Sequence, residues 1–307
     1  MAGSMKAVRY HEVGPADVLR YENAPMPEPG EREILVKVHS AGVNPVDSSM
    51  RAGRFGRATL PAIPGLDLAG TVEAVGSGVV GFSVGQAVFG TGRATYAEYA
   101  IATPETLAPK PDNVPFDQAA TVGVGARTAW GGLFDVADLQ AGQRLLIHAA
   151  AGGVGIFAVQ LGKWKGAEVI GTASAANLDL LKELGADQAI DYAATPFEKV
   201  VKDADVVFAG IGEAIDRSYQ VLKKGGILVA ITGRTSEEEA VKYGVRLGRV
   251  GPGTAAGDAM RRIGELLAEG KLKTVIRAVF PLTQARQAME LSETGHGRGH
   301  VVIKVSE

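Results

Sequence analysis

Short apolar runs, separated by turns rich in glycine and proline, fill the first third of the chain. The turn over residues 25–30 has the sequence PMPEPG and is a rigid connector. Runs of this length between turn residues are typical of β-strands. The pattern predicts strands over residues 8–10, 34–41, 67–75, 87–90 and 96–101. Several short strands without long helices indicate a compact folded-sheet or barrel-like domain.

From about Pro115 onward, strand-like runs alternate with segments that have helical spacing. This pattern predicts helices over residues 116–135, 153–165, 177–184, 197–202 and 214–222. It predicts strands over residues 144–149, 168–173, 188–191, 205–210 and 226–232. Such alternation indicates βαβ units, whose right-handed crossovers produce a doubly wound parallel sheet.

The last part of the chain is predicted to form a helix, a strand, a second helix and a final strand, over residues 255–269, 275–280, 284–293 and 300–305. Before them, residues 244–250 are a candidate edge strand. Such a strand either pairs with a second copy of the chain or is capped by solvent.

The composition indicates a soluble globular protein. A length of 307 residues suggests two domains, and 46% hydrophobic residues are enough for a sizeable core. The formal net charge of −2, without a long run of Lys or Arg, argues against a nucleic-acid partner. No apolar stretch is long enough to span a membrane. The absence of cysteine excludes disulfides, thiol nucleophiles and thiolate metal sites, and makes the cytoplasm the expected location.

A turn of small residues after the strand over residues 144–149 is the strongest sign of a ligand. The dinucleotide-binding pattern G-x-G-x-x-G fits this turn with Ala150 in the first place, followed by Gly152 and Gly155. Gly152 would let the backbone approach a pyrophosphate, and Gly155 would let the next helix pack closely on the sheet. The N–H groups at the start of that helix, around Gly153 and Val154, would face the diphosphate. Glycines often mark only a turn, but here the strand, the helix and the next βα unit are all in register.

The end of the second strand of this unit distinguishes NADPH from NADH. An NAD site usually places Asp or Glu about 20 residues after the loop, to accept hydrogen bonds from the ribose. Here the chain has Ala173, and the nearby Ser174 and Asn177 could donate to a 2′-phosphate. Ser and Asn also favour turns and helix caps, so a purely structural role is the alternative. We expect NADPH.

Several motifs, in a fixed order, resemble the quinone oxidoreductase branch of the medium-chain dehydrogenase/reductase superfamily over nearly the whole chain. They are AGVNPVD from Ala41, PGLDLAGTV from Pro64, VGSGV from Val75, AAAGGVG from Ala149, LGAD from Leu184 with IDY from Ile190, and SETGHGRG from Ser292. The resemblance implies a β-rich GroES-like catalytic domain beside a Rossmann domain. It also implies a homodimer and a small quinone or enone as substrate.

Zinc-dependent members of this superfamily carry Gly-His-Glu where this chain has Gly65-Leu66-Asp67, and they use cysteine ligands that this chain lacks. The resemblance therefore implies a zinc-independent enzyme. Without a Lewis acid, an alcohol oxygen has nothing to stabilise its developing charge. The favoured reaction is then hydride transfer to an acceptor that delocalises charge itself, such as a quinone or an α,β-unsaturated carbonyl compound.

The resemblance also suggests roles for single residues. Asn44 would lie at the floor of the active-site cleft, near nicotinamide and substrate, although a turn residue before Pro45 is the simpler interpretation. Asp47 would order this loop or join a proton relay, with a surface N-cap as the alternative. Thr128 would lie near the nicotinamide and Tyr192 near the 2′-phosphate. The family has a lysine near Asn177, and its absence here weakens the case for NADPH.

Two further sites follow from the predicted sheet. Gly210 ends one parallel strand, and Ile231 and Thr232 end another, so their backbones could hold ribose or carboxamide. None of the five histidines has the spacing of a metal site or a catalytic triad, and we expect His148 to be structural.

Together these features predict a three-part chain. Residues 5–111 form the β-rich catalytic domain, residues 112–248 the Rossmann domain, and residues 249–307 a segment that completes the catalytic domain. The predicted activity is NADPH-dependent reduction of a quinone or another conjugated carbonyl compound. The alternatives are an enoyl or alkenal double-bond reductase and an NADPH-binding protein with little turnover.

Overall fold

A computed structural model of the chain describes residues 3–56, 59–251, 254–255, 258–295 and 297–306. The strands are β1 Ser4–Arg9, β2 Arg20–Pro25, β3 Ile34–Val43, β4 Asp67–Val75, β5 Ala87–Arg93, β6 Tyr99–Pro109, β7 Arg144–His148, β8 Glu168–Ala173, β9 Gln188–Asp191, β10 Ala204–Ala209, β11 Leu222–Ala230, β12 Arg246–Arg249, β13 Ile276–Pro281 and β14 His300–Lys304. The helices are α1 Pro45–Arg51, α2 Phe116–Ala119, α3 Gly125–Trp130, α4 Gly155–Lys165, α5 Leu178–Glu183, α6 Phe197–Val200, α7 Ile215–Ser218, α8 Glu237–Tyr243, α9 Ala259–Ala268 and α10 Ala285–Glu293.

The first of two compact units contains the described residues up to Val124, Met260–Ala268 and the residues from Thr274 onward. Its main sheet has the order β13-β14-β3-β4-β5-β6. Strand β6 pairs with both β5 and β3, so β3 to β6 close on themselves. Ile34, Val36 and Val38 alternate along β3 and are fully buried, because successive side chains of a strand point to opposite faces. The predicted folded-sheet domain is confirmed.

The second unit contains Gly125–Ala259 and Glu269–Lys273. All its strands are parallel, in the order β12-β11-β10-β7-β8-β9. The chain runs outward from β7 to β9, crosses back to β10, which pairs with the other side of β7, and then runs outward again to β12. In this doubly wound sheet, the carboxyl ends of β7 and β10 are the place where the winding reverses. The predicted Rossmann-type sheet is confirmed.

The compact units place residues 112–124 in the first unit and residues 249–251 and 269–273 in the second. The C-terminal strand β14 pairs with β3 in antiparallel register, so the end of the chain joins the main sheet of the first unit.

The single helix predicted over residues 116–135 is wrong. The segment forms α2, then α3, and then a π-helical turn over Gly131–Val136. Its glycines approach neighbouring groups closely: a Cβ on Gly123 would lie 2.5 Å from Asp67 Oδ1, and a Cβ on Gly132 would lie 2.2 Å from the ring of Phe208. Helical spacing alone did not reveal these contacts.

Three elements were not predicted, namely α1, β2 and α8. Helix α8 begins at Ser236, whose hydroxyl accepts a hydrogen bond from the Glu239 N–H, and ends at Gly244 with a φ of 65°. Both are common helix signals. None of the helices within the described residues is both long and apolar enough to cross a membrane.

Candidate functional site

The glycine turn between β7 and α4 is closed by its own backbone. Ala149, directly after β7, has a φ of 53°, and its carbonyl accepts a hydrogen bond from the Gly152 N–H at 2.9 Å. The Ala150 N–H donates to the Thr172 carbonyl on β8 at 3.0 Å. The turn is therefore held in one conformation, and α4 starts directly after it with N–H groups that have no partner within the helix.

The two glycines of this turn have different surroundings. A Cβ on Gly155 would lie 2.2 Å from the Ala149 carbonyl oxygen and 2.6 Å from Ala150 Cα, so no side chain fits there. A Cβ on Gly152 would meet only the Ala149 carbonyl oxygen, at 3.2 Å, and the left-handed residue of the turn is Ala149 rather than Gly152. Gly155 therefore serves the packing of the turn, while Gly152 leaves space above it.

All predicted cofactor residues except Thr128 lie at or just beyond the carboxyl ends of parallel strands, which meet at one edge of the sheet. The glycine turn follows β7, and the residues after the other strands are Ser174 and Asn177 (β8), Tyr192 (β9), Gly210 (β10), and Ile231 and Thr232 (β11). Two of these ends touch directly, since the Thr232 hydroxyl donates to the Gly210 carbonyl at 3.2 Å. A Cβ on Gly210 would lie 3.1 Å from the His148 carbonyl oxygen.

The groups predicted to recognise a 2′-phosphate lie at the ends of β8 and β9. Asn177 Nδ2 donates to Ser174 Oγ at 3.1 Å, which leaves the serine hydroxyl proton and the second Nδ2 proton for other acceptors. The Tyr192 N–H donates to the Ala173 carbonyl at 3.2 Å, and the tyrosine side chain is 54% exposed. The arrangement contains donors and no carboxylate at the end of β8.

Two other predicted residues lie within the second unit. Thr128 is a half-buried residue of α3, a helix that packs against α4. His148 is buried, and its two ring nitrogens lie 3.1 Å from Thr172 Oγ1 and 3.1 Å from Ser218 Oγ. Burial lowers the pKa of His148 to about 4, so the ring is neutral. These contacts agree with the structural role that we expected for it.

In the first unit, Asn44 ends β3 and caps α1. It forms a capping box with Asp47, whose Oδ2 accepts a hydrogen bond from the Asn44 N–H at 2.9 Å, and Pro45 occupies the first helical position. The Tyr96 hydroxyl also donates to Asp47 Oδ2, at 3.0 Å. Asp47 is fully buried, so the alternative of a surface N-cap is wrong: it caps α1, but from inside the protein.

Asn44 has a second carboxylate partner that the sequence did not reveal. Its side-chain Nδ2 donates to Asp67 Oδ2 at 2.9 Å, and the Val124 N–H donates to Asp67 Oδ1 at 2.6 Å. Asn44 is 4% exposed, and Asp67 is fully buried at the start of β4. An acidic residue directly before an apolar strand was the only signal for it.

Burial dominates the electrostatics of this network. It raises the pKa of Asp47 to about 7, although hydrogen bonds from Asn44 and Tyr96 favour the charged form. It raises the pKa of Asp67 to about 8, and the neighbouring charge of Asp47 adds to the increase. Burial likewise raises the pKa of the Tyr96 hydroxyl well above its usual value. Two carboxyl groups that bind protons near neutral pH therefore flank the Asn44 amide.

A buried arginine holds α1 in place. Arg51, in the last turn of α1, is 3% exposed, and its guanidinium donates to Glu293 Oε1 on α10 at 2.7 Å and to the Gly14 carbonyl at 3.0 Å. Because α1 carries Asp47 and follows Asn44, these bonds determine where the network lies. Arg51 and Tyr96 were not predicted as site residues, because a single Arg or Tyr has no spacing that indicates a site.

Within the described residues, no group of three or more His, Asp or Glu side chains lies close enough to hold a metal ion. Asp47 and Asp67 accept hydrogen bonds from Asn44, Tyr96 and the Val124 backbone at distances of 2.6 to 3.0 Å. Leu66, next to Asp67, has no donor atom in its side chain. The residues around Asn44 thus do not form a tetrahedral set of zinc ligands.

Comparison with known proteins gave consistent matches. The family model for the alcohol dehydrogenase GroES-like domain matches residues 30–112, and the model for zinc-binding dehydrogenases matches residues 184–303. The chain is 36% identical to the chloroplastic NADPH-dependent alkenal/one oxidoreductase of Arabidopsis thaliana, over 97% of this chain and 79% of that protein. It is 32% identical to the quinone oxidoreductase of Mus musculus, over 96% and 95% of the two chains. The structure of the quinone oxidoreductase from Coxiella burnetii has a TM-score of 0.92 and 35% identity, and the match covers 99% of this chain and 100% of that chain.

Proposed function

Since this chain belongs to the quinone oxidoreductase branch of the medium-chain dehydrogenase/reductase superfamily and is an NAD(P)H-dependent oxidoreductase, we propose that it reduces quinones or other conjugated carbonyl compounds with NADPH and without zinc. The observation that carries this proposal is the network around Asn44. Its carboxylates are engaged by N–H and O–H donors, and Asn44 offers an amide rather than a Lewis acid.

The turn residues fit a dinucleotide. The N–H groups at the start of α4, near Gly153 and Val154, are suited to a pyrophosphate, and the open space at Gly152 allows it to approach. Beyond β10 and β11, the Gly210, Ile231 and Thr232 backbones would hold the ribose and carboxamide. Thr128 on α3 would contact the nicotinamide. When bound, the cofactor supplies the hydride.

The choice of NADPH rests on the residues after β8 and β9. Ser174 and Asn177 form a hydrogen-bonded pair with spare donors, and the exposed Tyr192 ring lies one residue beyond β9. A phosphate is a strong acceptor and would be repelled by a carboxylate at this position. Ala173 provides no carboxylate, so the pair is suited to the extra phosphate of NADPH. NADH remains the competing cofactor.

In this proposal Asn44 hydrogen-bonds the acceptor or the nicotinamide, and Asp47 keeps α1 and Asn44 in position. A quinone or enone distributes developing negative charge over its own conjugated system, so one amide is enough to orient it. The proton that completes the reduction comes from water.

The same site serves reduction of a carbon–carbon double bond, and the 36% identity to an alkenal/one oxidoreductase favours this second candidate. We propose a homodimer in the cytoplasm for either activity. The candidate edge strand is β12, which pairs with β11 at one end of the second unit's sheet, and its other edge is the surface that we propose for dimer contact.

A panel of quinones, enones and alkenals, each assayed with NADPH and with NADH, tests these proposals. Oxidation of NADPH by quinones supports the first candidate, and saturation of the alkenal double bond, identified in the products, supports the second. Binding of NADPH without turnover on any acceptor would instead favour a cofactor-binding protein. Asn44→Ala should lower turnover in either case while leaving NADPH bound.

A further inference from the structure

The side chain of asparagine has nearly the same shape when its amide is rotated by half a turn, so packing alone does not determine which end is the donor. At Asn44 the hydrogen bond to Asp67 determines it. Nδ2 lies 2.9 Å from Asp67 Oδ2, an acceptor, and both residues are buried. While Asp67 is ionised, an inverted amide would place the Asn44 oxygen against Asp67 Oδ2, two acceptors facing each other, which is unfavourable.

Asp67 itself is held tightly. Its Oδ1 accepts the Val124 N–H at 2.6 Å, and its backbone pairs with Thr91 of β5. Two glycines lie against the carboxylate: a Cβ on Gly42 would lie 3.0 Å from Asp67 Oδ2, and a Cβ on Gly123 would lie 2.5 Å from Oδ1. The Val124 hydrogen bond and the pairing with β5 hold the carboxylate where it accepts from Asn44.

We infer that Asp67 is a positioning residue for the reduction, because it determines the direction of the Asn44 amide and hence which donor and acceptor atoms Asn44 presents to the reactants. This inference rests on the proposed function, in which Asn44 contacts the acceptor or the nicotinamide. Asp67 touches neither of them. The competing explanation is that the Asn44–Asp67 bond only stabilises the first unit.

A reciprocal exchange separates these explanations. In Asp67→Asn, the Val124 N–H requires the new amide oxygen on its side, so the new NH2 group faces residue 44, and Asn44 can accept from it only with its own amide rotated by half a turn. In the double variant Asn44→Asp with Asp67→Asn, the amide at residue 67 donates to the carboxylate at residue 44, and the hydrogen bond returns in the opposite direction. Leu68→Ala is the matched control, because it removes a fully buried side chain from the neighbouring position of β4.

Above about pH 8, where Asp67 is ionised, we expect Asp67→Asn to lower kcat by about tenfold to a hundredfold, because its Asn44 amide is inverted, with the thermal midpoint and the Kd for NADPH little changed. In the double variant the hydrogen bond returns, but kcat should stay low, since a carboxylate replaces the amide. Leu68→Ala should lose stability and keep kcat. Recovery of kcat in the double variant, or an unchanged kcat in Asp67→Asn, would overturn the inference.

The wild-type protein supplies a readout that does not depend on turnover. The side-chain NH2 signals of Asn44 in a 15N–1H spectrum, assigned by their absence from Asn44→Ser, should include one proton that exchanges slowly with solvent. Two protons that exchange as fast as those of exposed asparagines would refute the hydrogen bond. If none of the acceptors supports NADPH oxidation by the wild type or by Leu68→Ala, the proposed function fails. The amide signal still tests the position of Asn44 in that case.

Discussion

Gly152 and Gly155 lie three residues apart in one turn, and substitution should damage the protein in two different ways. The Cβ of a side chain at Gly152 would meet only the Ala149 carbonyl oxygen, at 3.2 Å, so we expect the chain still to fold. A side chain at Gly155 would overlap the Ala149 carbonyl oxygen at 2.2 Å, and backbone atoms cannot move aside as a flexible side chain can. We therefore expect Gly152→Val to lose NADPH and Gly155→Ala to lose stability.

The size of the first effect follows from mass action. At an NADPH concentration of 100 times Kd, the wild type gains about 2.7 kcal/mol, which raises the thermal midpoint by about 5–10 °C. If valine at residue 152 raises Kd a hundredfold by excluding the pyrophosphate, the same concentration gives about 0.4 kcal/mol, or about 1 °C. Without NADPH, Gly152→Val should unfold within a few degrees of the wild type.

The second effect appears without any ligand. Forcing one methyl group into a filled site costs about 1–3 kcal/mol, and more when the neighbours are rigid. Gly155→Ala meets three backbone atoms and should lie at or above the upper end of this range, so its midpoint should fall by about 6 °C or more.

Thermal unfolding with and without NADPH measures both effects. Ala141→Val is the matched control for an added side chain, because Ala141 is exposed and precedes the opposite, amino end of β7. This control should behave as the wild type in both conditions. If Gly152→Val gains as much from NADPH as the wild type does, the cofactor does not bind at this turn. If Gly155→Ala unfolds at the wild-type midpoint, the close packing described here is wrong.

Three further predictions concern the cofactor, the metal and pH. The wild type should bind NADPH about tenfold or more tightly than NADH, and Ala173→Asp should reverse this preference. The reason is that a carboxylate at the end of β8 repels the 2′-phosphate and accepts from a ribose hydroxyl. Equal affinities of the wild type for both cofactors, measured by titration, would contradict this. Exhaustive chelation should leave activity unchanged and elemental analysis should find no stoichiometric zinc; a loss of activity that zinc restores would refute the zinc-independent mechanism. Because burial raises the folded-state pKa of Asp47 to about 7 and of Asp67 to about 8, the folded protein keeps protons that the unfolded chain releases. The free energy of unfolding should therefore fall as the pH rises from about 4, the pKa of an unfolded Asp, to about 8, by at most about 1.4 kcal/mol per pH unit for each group. Asp67→Asn should flatten this fall in denaturant titrations, and an identical slope in the variant would contradict it.

Local patterns predicted the fold well where an element is independent of its neighbours. The bounds of β8 and β9 agree with the sequence prediction, since each is a short run between clear turns. The helix over residues 116–135 was wrong because its breaks serve distant groups, among them Asp67 and the ring of Phe208. Such contacts leave no periodic trace in the segment itself.

The two halves of the candidate site differ in the same way. The cofactor residues could be proposed from the sequence, because the carboxyl ends of parallel strands always meet at one edge of the sheet and only the order of elements is needed. The Asn44 network could not, because it joins residues 44, 47, 67, 96 and 124 through side-chain hydrogen bonds. Asp47 was a candidate, but the sequence did not decide whether it lies at the surface or in the interior.

The sequence alone determined the parallel strands of the second unit, the glycine turn, the absence of thiolate chemistry and the lack of an acid at Ala173, since each depends on residue type and local spacing. Only the tertiary structure decided which glycine is essential for packing, that Asp47 and Asp67 are fully buried, and that both contact Asn44. The physical reason is that burial and hydrogen-bond direction depend on segments far apart in the chain. A carboxylate has the same chemistry anywhere in the sequence, but its pKa and its partners depend on what folds around it.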